Sequence, residues 1–245
     1  MASIAWQVAT VAALKDETAH VKTLSLDVPG LADYKPGQHV DIRLTAADGY
    51  QAQRSYSIAS APGDGARLDL TVERVEGGEV SPFLHDEVVV GDRFEVRGPI
   101  GGYFVWDGSM DGPVLLVAGG SGVVPLMAMV RHRARIGSSA PCTLLYSSKT
   151  APDIIYGAEL DSLAGRKDGL RVVHTLTREQ PEGWTGYGRR IDQSMLTEVL
   201  ATAGASPSVF VCGPTPLVEV VATGLVGLGL APSRVRTERF GPSGG

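Results

Sequence analysis

The 245-residue sequence has little cysteine, no long apolar run and no cluster of basic residues. Its two cysteines, Cys142 and Cys212, lie far apart, which argues against a disulfide framework and an iron–sulfur site. The five histidines lack the spacing of metal ligands. No apolar run approaches the roughly 20 residues of a membrane span, and a net charge of −5 argues against nucleic acid as a partner. With no signal-peptide layout in MASIAWQVAT, these absences predict a cytoplasmic protein.

The first half of the chain consists of short alternating polar and apolar runs separated by turns rich in Gly, Pro and Asp. Period-two alternation of this kind is typical of strands. The predicted strands are 6–14, 20–28, 38–44, 54–60, 67–75 and 92–98. A short helix is predicted only over 81–88. The spacing predicts an N-terminal antiparallel six-stranded β-barrel over residues 1–107.

The second half alternates strands with helices. Its first strand, PVLLVAGG, is apolar throughout, as expected of a strand buried on both faces, and a helix is predicted over Val124–Arg135. Further strands are predicted over 142–147, 170–176, 208–212 and 235–240, and further helices over 156–164, 192–203 and 215–230. The alternation predicts a Rossmann-like α/β domain with a parallel five-stranded sheet over residues 113–245, after the linker DGSMDGP.

Most unusual residues of the second half follow the predicted strands, where ligands bind in open α/β sheets. The loops are GGSGVVP (119–125), YSSKT (146–150), TREQ (177–180), CGPTP (212–216) and ERFGPSGG (238–245). GGSGVVP leads into a helix whose free N–H groups favour a phosphate, although a turn needed only for packing is the alternative. Cys212, taken alone, is better explained as a small buried apolar residue than as a functional one.

The stretch RSYSIAS in the first half places Arg54 and Tyr56 on one strand face and Ser55 and Ser57 on the other. Ser81 begins the predicted short helix, either as its cap or as part of a second anion site facing Arg54. A cation, a helix start and a tyrosine ring together suit a ligand with phosphates and a flat aromatic ring. Packing of Tyr56 in the barrel core is the alternative.

Six motifs occur in a fixed order: RSYS, GGEVSPFL, GPIGGYF, AGGSGVVPLMAM, VCGP and ERF. Together they resemble the ferredoxin–NADP reductase superfamily, and most of all the flavin–nicotinamide module of oxygenase electron-transfer reductases. The likeness covers nearly the whole chain. It implies an FAD-dependent NAD(P)H oxidoreductase, with FAD on the barrel and NADPH, or NADH, on the α/β domain.

The resemblance also implies roles for individual residues. Arg54 would pair with the flavin diphosphate, Tyr56 would stack on the isoalloxazine, and Ser57 would hydrogen-bond near its N5 atom. The implied catalytic residues are Ser57, Cys212 and Glu238. Further implied contacts with FAD are Ser55, Val72, Glu73, Arg74, Gly78, Val80, Ser81 and Phe240. Implied contacts with the nicotinamide nucleotide are Gly120, Ser121, Gly122, Cys212, Gly213 and Pro214.

The run TREQ resembles the segment by which plant-type members of this family bind the 2′-phosphate of NADPH. It implies Arg178 as the phosphate ligand, with Thr177, Ser148 and Lys149 nearby. Arg189 or Arg190 could add to it. We therefore expect a preference for NADPH, with plain surface charges as the alternative.

Relatives that serve oxygenases often carry a [2Fe–2S] domain, which needs four cysteines, and this chain has two. We therefore expect electrons to leave through a separate acceptor protein: a ferredoxin, an oxygenase component, a haem protein or a molybdenum component. One alternative is a free-flavin or quinone reductase. The other is a redox sensor that binds flavin or nucleotide without transferring electrons.

Overall fold

The computed structural model describes residues 4–110 and 112–240, so Asp111 of the linker and the final GPSGG lie outside it. The chain divides into two compact units. The first, here the barrel unit, extends to Asp107 and includes Met127–His132. The second, here the α/β unit, comprises Gly108–Leu126 and the chain from Arg133 onward. The domain bounds 1–107 and 113–245 stay a prediction.

The barrel unit contains an antiparallel sheet of six strands in the order β4-β3-β6-β1-β2-β5. An isolated bridge between Ile58 and Leu70 joins the two outer strands, and Ala59 N donates to Asp69 O beside it. The predicted fold of this half is confirmed. The strands are β1 Gln7–Thr18, β2 Val21–Asp27, β3 His39–Thr45, β4 Gln51–Ser57, β5 Arg67–Glu73 and β6 Arg93–Ile100.

Strand β4 begins at Gln51 rather than at the predicted Arg54, and it ends at Ser57. It pairs with β3 without a break from Gln51↔Thr45 to Ser57↔His39. The chain beyond Ser57 turns to meet β5, which is why the residues predicted to end the strand, Ile58 to Ser60, are buried outside it.

The predicted short helix consists of α1, Val80–Pro82, followed by a π-helical turn over Phe83–Glu87. The side chains of Val80, Leu84 and Val88 belong to the barrel core. Because apolar residues three to four positions apart share one helix face, this segment packs onto the end of the barrel.

The α/β unit contains five parallel strands in the order β11-β10-β7-β8-β9, which confirms the predicted sheet. The strands are β7 Val114–Gly119, β8 Cys142–Ser148, β9 Leu170–Leu176, β10 Ser208–Pro214 and β11 Val235–Phe240. The helices that follow these strands are α2 Val123–Arg135, α3 Gly157–Ala164, α4 Gln193–Thr202 and α5 Thr215–Gly227, and the Met127–His132 part of α2 belongs to the barrel unit. Short 3₁₀ turns at Gly120–Gly122, Ala151–Asp153 and Pro232–Arg234 were not predicted.

Strand β7 is buried along its whole length, as its unbroken apolar sequence predicts. Leu115 and Val117 on β7 and Val209 and Val211 on β10 belong to one core cluster. This packing holds the carboxyl ends of the strands at one edge of the sheet. Within residues 4–110 and 112–240, every helix falls short of the length and apolarity that crossing a membrane requires.

Candidate functional site

Strand β4 presents the predicted flavin-binding side chains. Tyr56 is half-buried against the barrel core. Arg54 is exposed, and its Nη1 donates to the neighbouring carbonyl of Gln53 at 2.7 Å. Burial raises the pKa of Tyr56, and the nearby charge of Arg54 opposes that shift. A guanidinium that pairs with no carboxylate among the described residues therefore lies near an aromatic ring, an arrangement suited to a diphosphate joined to a flat ring system.

The two serines beside Tyr56 have different surroundings. Ser55 Oγ donates to Asp41 Oδ1 at 2.6 Å, and Asp41 Oδ2 accepts from Arg97 at 2.6 Å. Burial opposes ionisation of Asp41, but these hydrogen bonds outweigh it and lower its pKa. The Ser55 hydroxyl thus forms a hydrogen bond within the barrel unit. Its contact with FAD stays a prediction. Ser57 is buried, and its hydroxyl has no hydrogen-bond partner within the described part of the chain.

Both valines predicted to contact FAD have their side chains in the barrel core. Val72 is 0% exposed and Val80 is 1% exposed. Each can therefore contact a ligand only through its main chain. Glu73 is exposed, and the side chain of Arg74 forms an ion pair with Asp86, with 2.8 Å between Nε and Oδ2.

The loop before α1 is a compact turn. Gly78 N donates to Val75 O at 3.0 Å, and Ser81 Oγ accepts from Val75 N at 3.1 Å. A Cβ on Gly78 would lie 3.1 Å from Val75 O and 3.3 Å from Ser81 Oγ. The interpretation of Ser81 as the helix cap is wrong. Glu79 occupies the cap position, and Ser81 lies one residue inside the helix, where its hydroxyl holds the turn instead.

In the α/β unit, two predicted loops meet main chain to main chain. The turn Gly120–Gly122 follows β7, and Cys212 and Gly213 lie near the end of the adjacent strand β10. A Cβ on Gly122 would lie 2.2 Å from Cys212 O and 2.7 Å from Gly213 Cα. The close approach requires glycine at position 122. The expected pyrophosphate loop and the Cys-Gly-Pro segment thus form one glycine-lined edge, which also includes Ser121 and Pro214.

Cys212 and Glu238 are neighbours on the paired strands β10 and β11. Burial, together with the charge of Glu238, raises the pKa of Cys212 well above its usual value, so it remains a thiol. Burial raises the pKa of Glu238 to about 7, and its Oε2 has no hydrogen-bond partner in residues 4–110 and 112–240. Glu238 can therefore bind or release a proton near neutral pH. Phe240 is half-buried and pairs with Pro214 in the same two strands.

The residues predicted to select NADPH come together at the ends of β8 and β9. Thr177 N donates to Ser148 O and Arg178 N donates to Lys149 O, each at 3.0 Å. Ser148 Oγ is buried, with no partner among the described atoms. The side chains of Lys149 and Arg178 are exposed and form no ion pair within the described residues. Two free cations beside an unpaired hydroxyl suit a phosphate.

The side chain of Arg189 is already paired with a carboxylate. Its Nε donates to Asp192 Oδ2 at 2.6 Å, and its guanidinium lies 5.0 Å from the centroid of the Tyr187 ring. Asp192 is held in place because it caps α4 by accepting from Met195 N. Arg190 is exposed, so of the two it is the one left available to a phosphate.

The segment after TREQ returns along strand β9. Tyr187 forms an isolated parallel bridge with Thr175, and Trp184 Nε1 donates to Tyr187 O at 3.1 Å. The Trp184 ring lies 6.3 Å from the His174 ring. This return packs the TREQ loop against the sheet, and its sequence signal is the pair of aromatic residues Trp184 and Tyr187.

The sequence analysis missed a cavity of about 590 Å³ in the barrel unit. It lies where β3 ends and where β4 and β6 begin. The signal that could have found it is Tyr50, which the alternation of β4 places on the same face as Arg54. Its lining residues are Arg43, Leu44, Thr45, Ala46, Tyr50, Ala52, Glu79, Phe83, Asp92, Arg93, Phe94 and Glu95.

Three predicted site residues, Ser57, Ser148 and Glu238, have buried polar atoms without a partner within the described chain. An unpaired buried group of this kind costs about 1–3 kcal/mol, so it needs an explanation such as a bound ligand. All three fit a flavin and a nicotinamide nucleotide, which offer complementary polar atoms. Across the described residues, no group of three or more His, Cys, Asp or Glu side chains is placed to hold a metal ion.

A barrel with an arginine–tyrosine strand, followed by a parallel sheet with glycine loops at its carboxyl edge, defines a flavin- and nicotinamide-binding oxidoreductase. Family models agree with this class. Residues 9–105 match the oxidoreductase FAD-binding domain, and residues 116–223 match the oxidoreductase NAD-binding domain.

Relatives of known name extend the match along the chain. Ferredoxin–NADP reductase B of Sorangium cellulosum is 37% identical over 211 residues, covering 84% of this chain and 85% of that protein. The glycine betaine monooxygenase reductase subunit of Pseudomonas aeruginosa is 36% identical over 231 residues, or 93% of this chain and 62% of that protein. The chain thus spans about three fifths of such oxygenase reductases. The crystal structure of Amycolatopsis cytochrome P450 reductase GcoB matches with a TM-score of 0.85 and 26% identity, covering 98% of this chain and 71% of that one.

The chain belongs to the ferredoxin–NADP reductase superfamily. The resemblance inferred from the six sequence motifs is confirmed.

Proposed function

We propose that the protein is a reductase that takes electrons from NADPH and passes them singly to a separate acceptor protein. The observation that carries the proposal is that Ser57 Oγ and Glu238 Oε2 are buried and have no hydrogen-bond partner among the described residues. Both residues lie in motifs that predict contact with the cofactors. Burial raises the pKa of Glu238 to about 7. A module that only binds flavin or nucleotide has no need of such an ionisable group.

Bound FAD would accept a hydride from the nicotinamide and release electrons one at a time. The chain's own residues supply binding, orientation and proton control. Arg54 would neutralise the diphosphate, Tyr56 would present a ring face, and the Ser57 hydroxyl would donate a hydrogen bond. Glu238 would hold or release a proton at its carboxylate.

In the α/β unit, binding would depend mainly on the main chain. The glycine-lined edge around Gly122 and Gly213 lets a pyrophosphate approach the backbone closely, and the N–H groups at the start of α2 favour its charge. The neutral Cys212 thiol would keep water and charge away from the nicotinamide. Lys149, Arg178 and the Ser148 hydroxyl support a preference for the 2′-phosphate of NADPH, with NADH as the weaker donor.

A separate acceptor is supported by the kinds of relative found, whose names include a monooxygenase reductase subunit and a ferredoxin–NADP reductase. We propose that this chain likewise serves a ferredoxin, an oxygenase component, a haem protein or a molybdenum component. A cytoplasmic location is part of the proposal, since NADPH and the other parts of such systems are available there.

Anaerobic titration of the purified, FAD-loaded protein tests the proposal. We expect a yellow protein that NADPH bleaches. The reduced protein should then reduce two molecules of a one-electron acceptor such as cytochrome c for each NADPH oxidised. A yellow protein that neither nucleotide bleaches would support the redox sensor. Reduction of free flavin or quinone at a higher kcat/KM than any protein acceptor would support the diffusible-acceptor reductase.

Replacement of Arg178 tests the choice of nucleotide. Arg178→Ala should lower kcat/KM for NADPH about ten- to hundredfold, the usual effect of losing a charged hydrogen bond, and leave kcat/KM for NADH nearly unchanged. Arg166→Ala is the matched control, because Arg166 is also exposed but precedes β9 at the opposite edge of the sheet. Equal losses with both nucleotides would contradict the assignment.

A further inference from the structure

The main chain of Arg178 determines where its exposed side chain lies, because that side chain forms no ion pair within the described residues. Two hydrogen bonds hold this main chain. Arg178 N donates to Lys149 O at 3.0 Å, and Arg178 O accepts from Gln180 Nε2 at 3.2 Å. The residue after β8 therefore holds one side of Arg178, and the side chain of Gln180 holds the other.

Gln180 closes the loop that carries Arg178. Its Nε2 also donates to Leu176 O at 3.2 Å, so one side-chain amide joins the last residue of β9 to the carbonyl of Arg178. A glutamine amide has two N–H donors, and this arrangement uses both of them. The amide therefore ties the loop to the end of the strand from which it leaves.

The surroundings of Gln180 fix the position of its side chain. A Cβ on Gly188 would lie 3.2 Å from Gln180 Cδ and 3.2 Å from Gln180 Oε1, so the returning segment packs closely against the amide. Pro181 follows Gln180, and a residue before proline is mostly confined to extended backbone. Both the main chain and the side chain of Gln180 are thus restrained.

The other side of the predicted phosphate site does not depend on Gln180. Asp153 Oδ2 accepts from Thr150 N at 3.0 Å and from Thr150 Oγ1 at 2.6 Å, which holds the turn directly after Lys149. Loss of the Gln180 amide should therefore loosen the Arg178 side of the site and leave the Lys149 side in place.

We propose that Gln180 is a positioning residue that sets the preference for NADPH over NADH by holding Arg178 in place for the 2′-phosphate. The inference rests on the proposed function, which assigns the 2′-phosphate to Arg178. A cation that is already held in place binds its ligand more tightly, because less conformational entropy is lost on binding. Without the amide, Arg178 keeps its charge and loses part of this advantage.

Binding of two nucleotides to the FAD-loaded protein tests the proposal without turnover. Isothermal titration calorimetry gives dissociation constants for 2′,5′-ADP, which carries the 2′-phosphate, and for 5′-AMP, which lacks it. Gln180→Met keeps the length of the side chain and removes both donors. We expect it to weaken binding of 2′,5′-ADP about two- to tenfold, the usual effect of losing a hydrogen bond, and to leave 5′-AMP binding nearly unchanged. In steady-state assays, KM for NADPH should rise by a similar factor while kcat stays the same.

Double variants show whether Gln180 acts through Arg178. In the Arg178→Ala background, Gln180→Met should change 2′,5′-ADP binding by less than about twofold, because the cation that it positions is gone. In the Lys149→Ala background, Gln180→Met should keep its full effect.

Gln193→Met is the matched control. Gln193 is also an exposed glutamine of the α/β unit, and its Nε2 donates to Gly224 O at 3.3 Å, but it begins α4 and lies outside the TREQ loop. This change should leave both affinities unchanged. A denaturant midpoint for each variant shows that the fold is retained.

The outcomes separate the inference from the function it rests on. Equal weakening of 2′,5′-ADP and 5′-AMP by Gln180→Met, or no weakening of either, overturns the positioning role while the reductase proposal stands. A full effect of Gln180→Met in the Arg178→Ala background also overturns it. If Arg178→Ala alone leaves 2′,5′-ADP binding unchanged, the assignment of the 2′-phosphate to Arg178 fails, and this inference fails with it.

Discussion

The barrel unit and the α/β unit place their site residues in different ways. In the α/β unit they all lie at one edge of the sheet, at the ends of β7, β8, β9, β10 and β11. In the barrel unit they are spread over β4, β5 and the turn before α1. Parallel strands all end at the same edge, whereas antiparallel strands end at both. Topology therefore brings the site residues together in the α/β unit, whereas side-chain packing must do so in the barrel unit.

The two units also differ in what they offer a ligand. The α/β unit offers main-chain groups to a ligand, and Gly122 and Gly213 make them accessible. The same main-chain atoms also pack the two loops together, so the site and the packing depend on the same residues. The barrel offers side chains such as the exposed Arg54, which packs against little else. Substitutions at the site should therefore damage stability in the α/β unit, and binding alone in the barrel.

The largest expected effect is that of Gly122→Ala. Its new Cβ would lie 2.2 Å from the main-chain oxygen of Cys212, so two loops must separate. We expect the free energy of unfolding to fall by about 3 kcal/mol or more, with loss of nucleotide binding. Gly227→Ala on α5 is the matched control, because its Cβ would meet nothing within 4 Å. This substitution should raise the free energy of unfolding by about 0.5–1 kcal/mol. If both variants had the same free energy of unfolding in chemical denaturation, the close approach of Gly122 to Cys212 would not limit stability.

A slightly smaller effect is expected from pH, through Glu238. Burial raises its pKa from 4.5 to about 7 in the folded protein. Between these values the folded state binds a proton that the unfolded state has released, so stability falls as pH rises. The loss is up to about 3 kcal/mol above pH 7. Glu238→Gln, which cannot ionise, should remove that part of the slope between pH 4.5 and 7.5. Identical slopes in the two proteins would contradict the burial of this carboxyl.

Arg54→Ala should separate binding from stability in the barrel. Loss of one charge-assisted contact should weaken FAD binding by about 1.5–3 kcal/mol, or ten- to hundredfold. The apoprotein should unfold within about 0.5 kcal/mol of the wild type, since Arg54 is exposed. Arg67→Ala is the control, because Arg67 is an exposed barrel arginine engaged with Asp27. A large loss of apoprotein stability in Arg54→Ala would contradict this prediction, because it would show that Arg54 stabilises the folded barrel.

The smallest expected effect on stability is that of Ser57→Ala. The hydroxyl is buried and without a partner among the described atoms, so removing it should leave the apoprotein unchanged or more stable by up to about 1 kcal/mol. The same change should slow the reduction of bound FAD by NADPH in stopped-flow experiments. A destabilised apoprotein would show that Ser57 has an internal partner.

Prediction from sequence succeeded where local pattern and topology coincide. Strands β9 and β11 have the predicted bounds, 170–176 and 235–240, because turn residues precede each of them: Asp168 and Gly169 before β9, and Pro232 and Ser233 before β11. The meeting of 148–149 with 177–178 follows from the adjacency of β8 and β9. Prediction failed at Ser81, where a residue typical of helix caps lies inside the helix and caps a turn instead.

The sequence by itself determined the two-part fold, the order of its elements and the family, because periodicity, turn residues and short motifs are local properties of the chain. Only the tertiary structure decided that the side chains of Val72 and Val80 face the core. It also decided that the Ser55 hydroxyl donates a hydrogen bond to Asp41 and that Arg189 pairs with Asp192. It also decided that Tyr50, Glu79 and Phe83 share one cavity. These facts depend on contacts between residues far apart in the chain, and no local pattern encodes which partner a side chain meets.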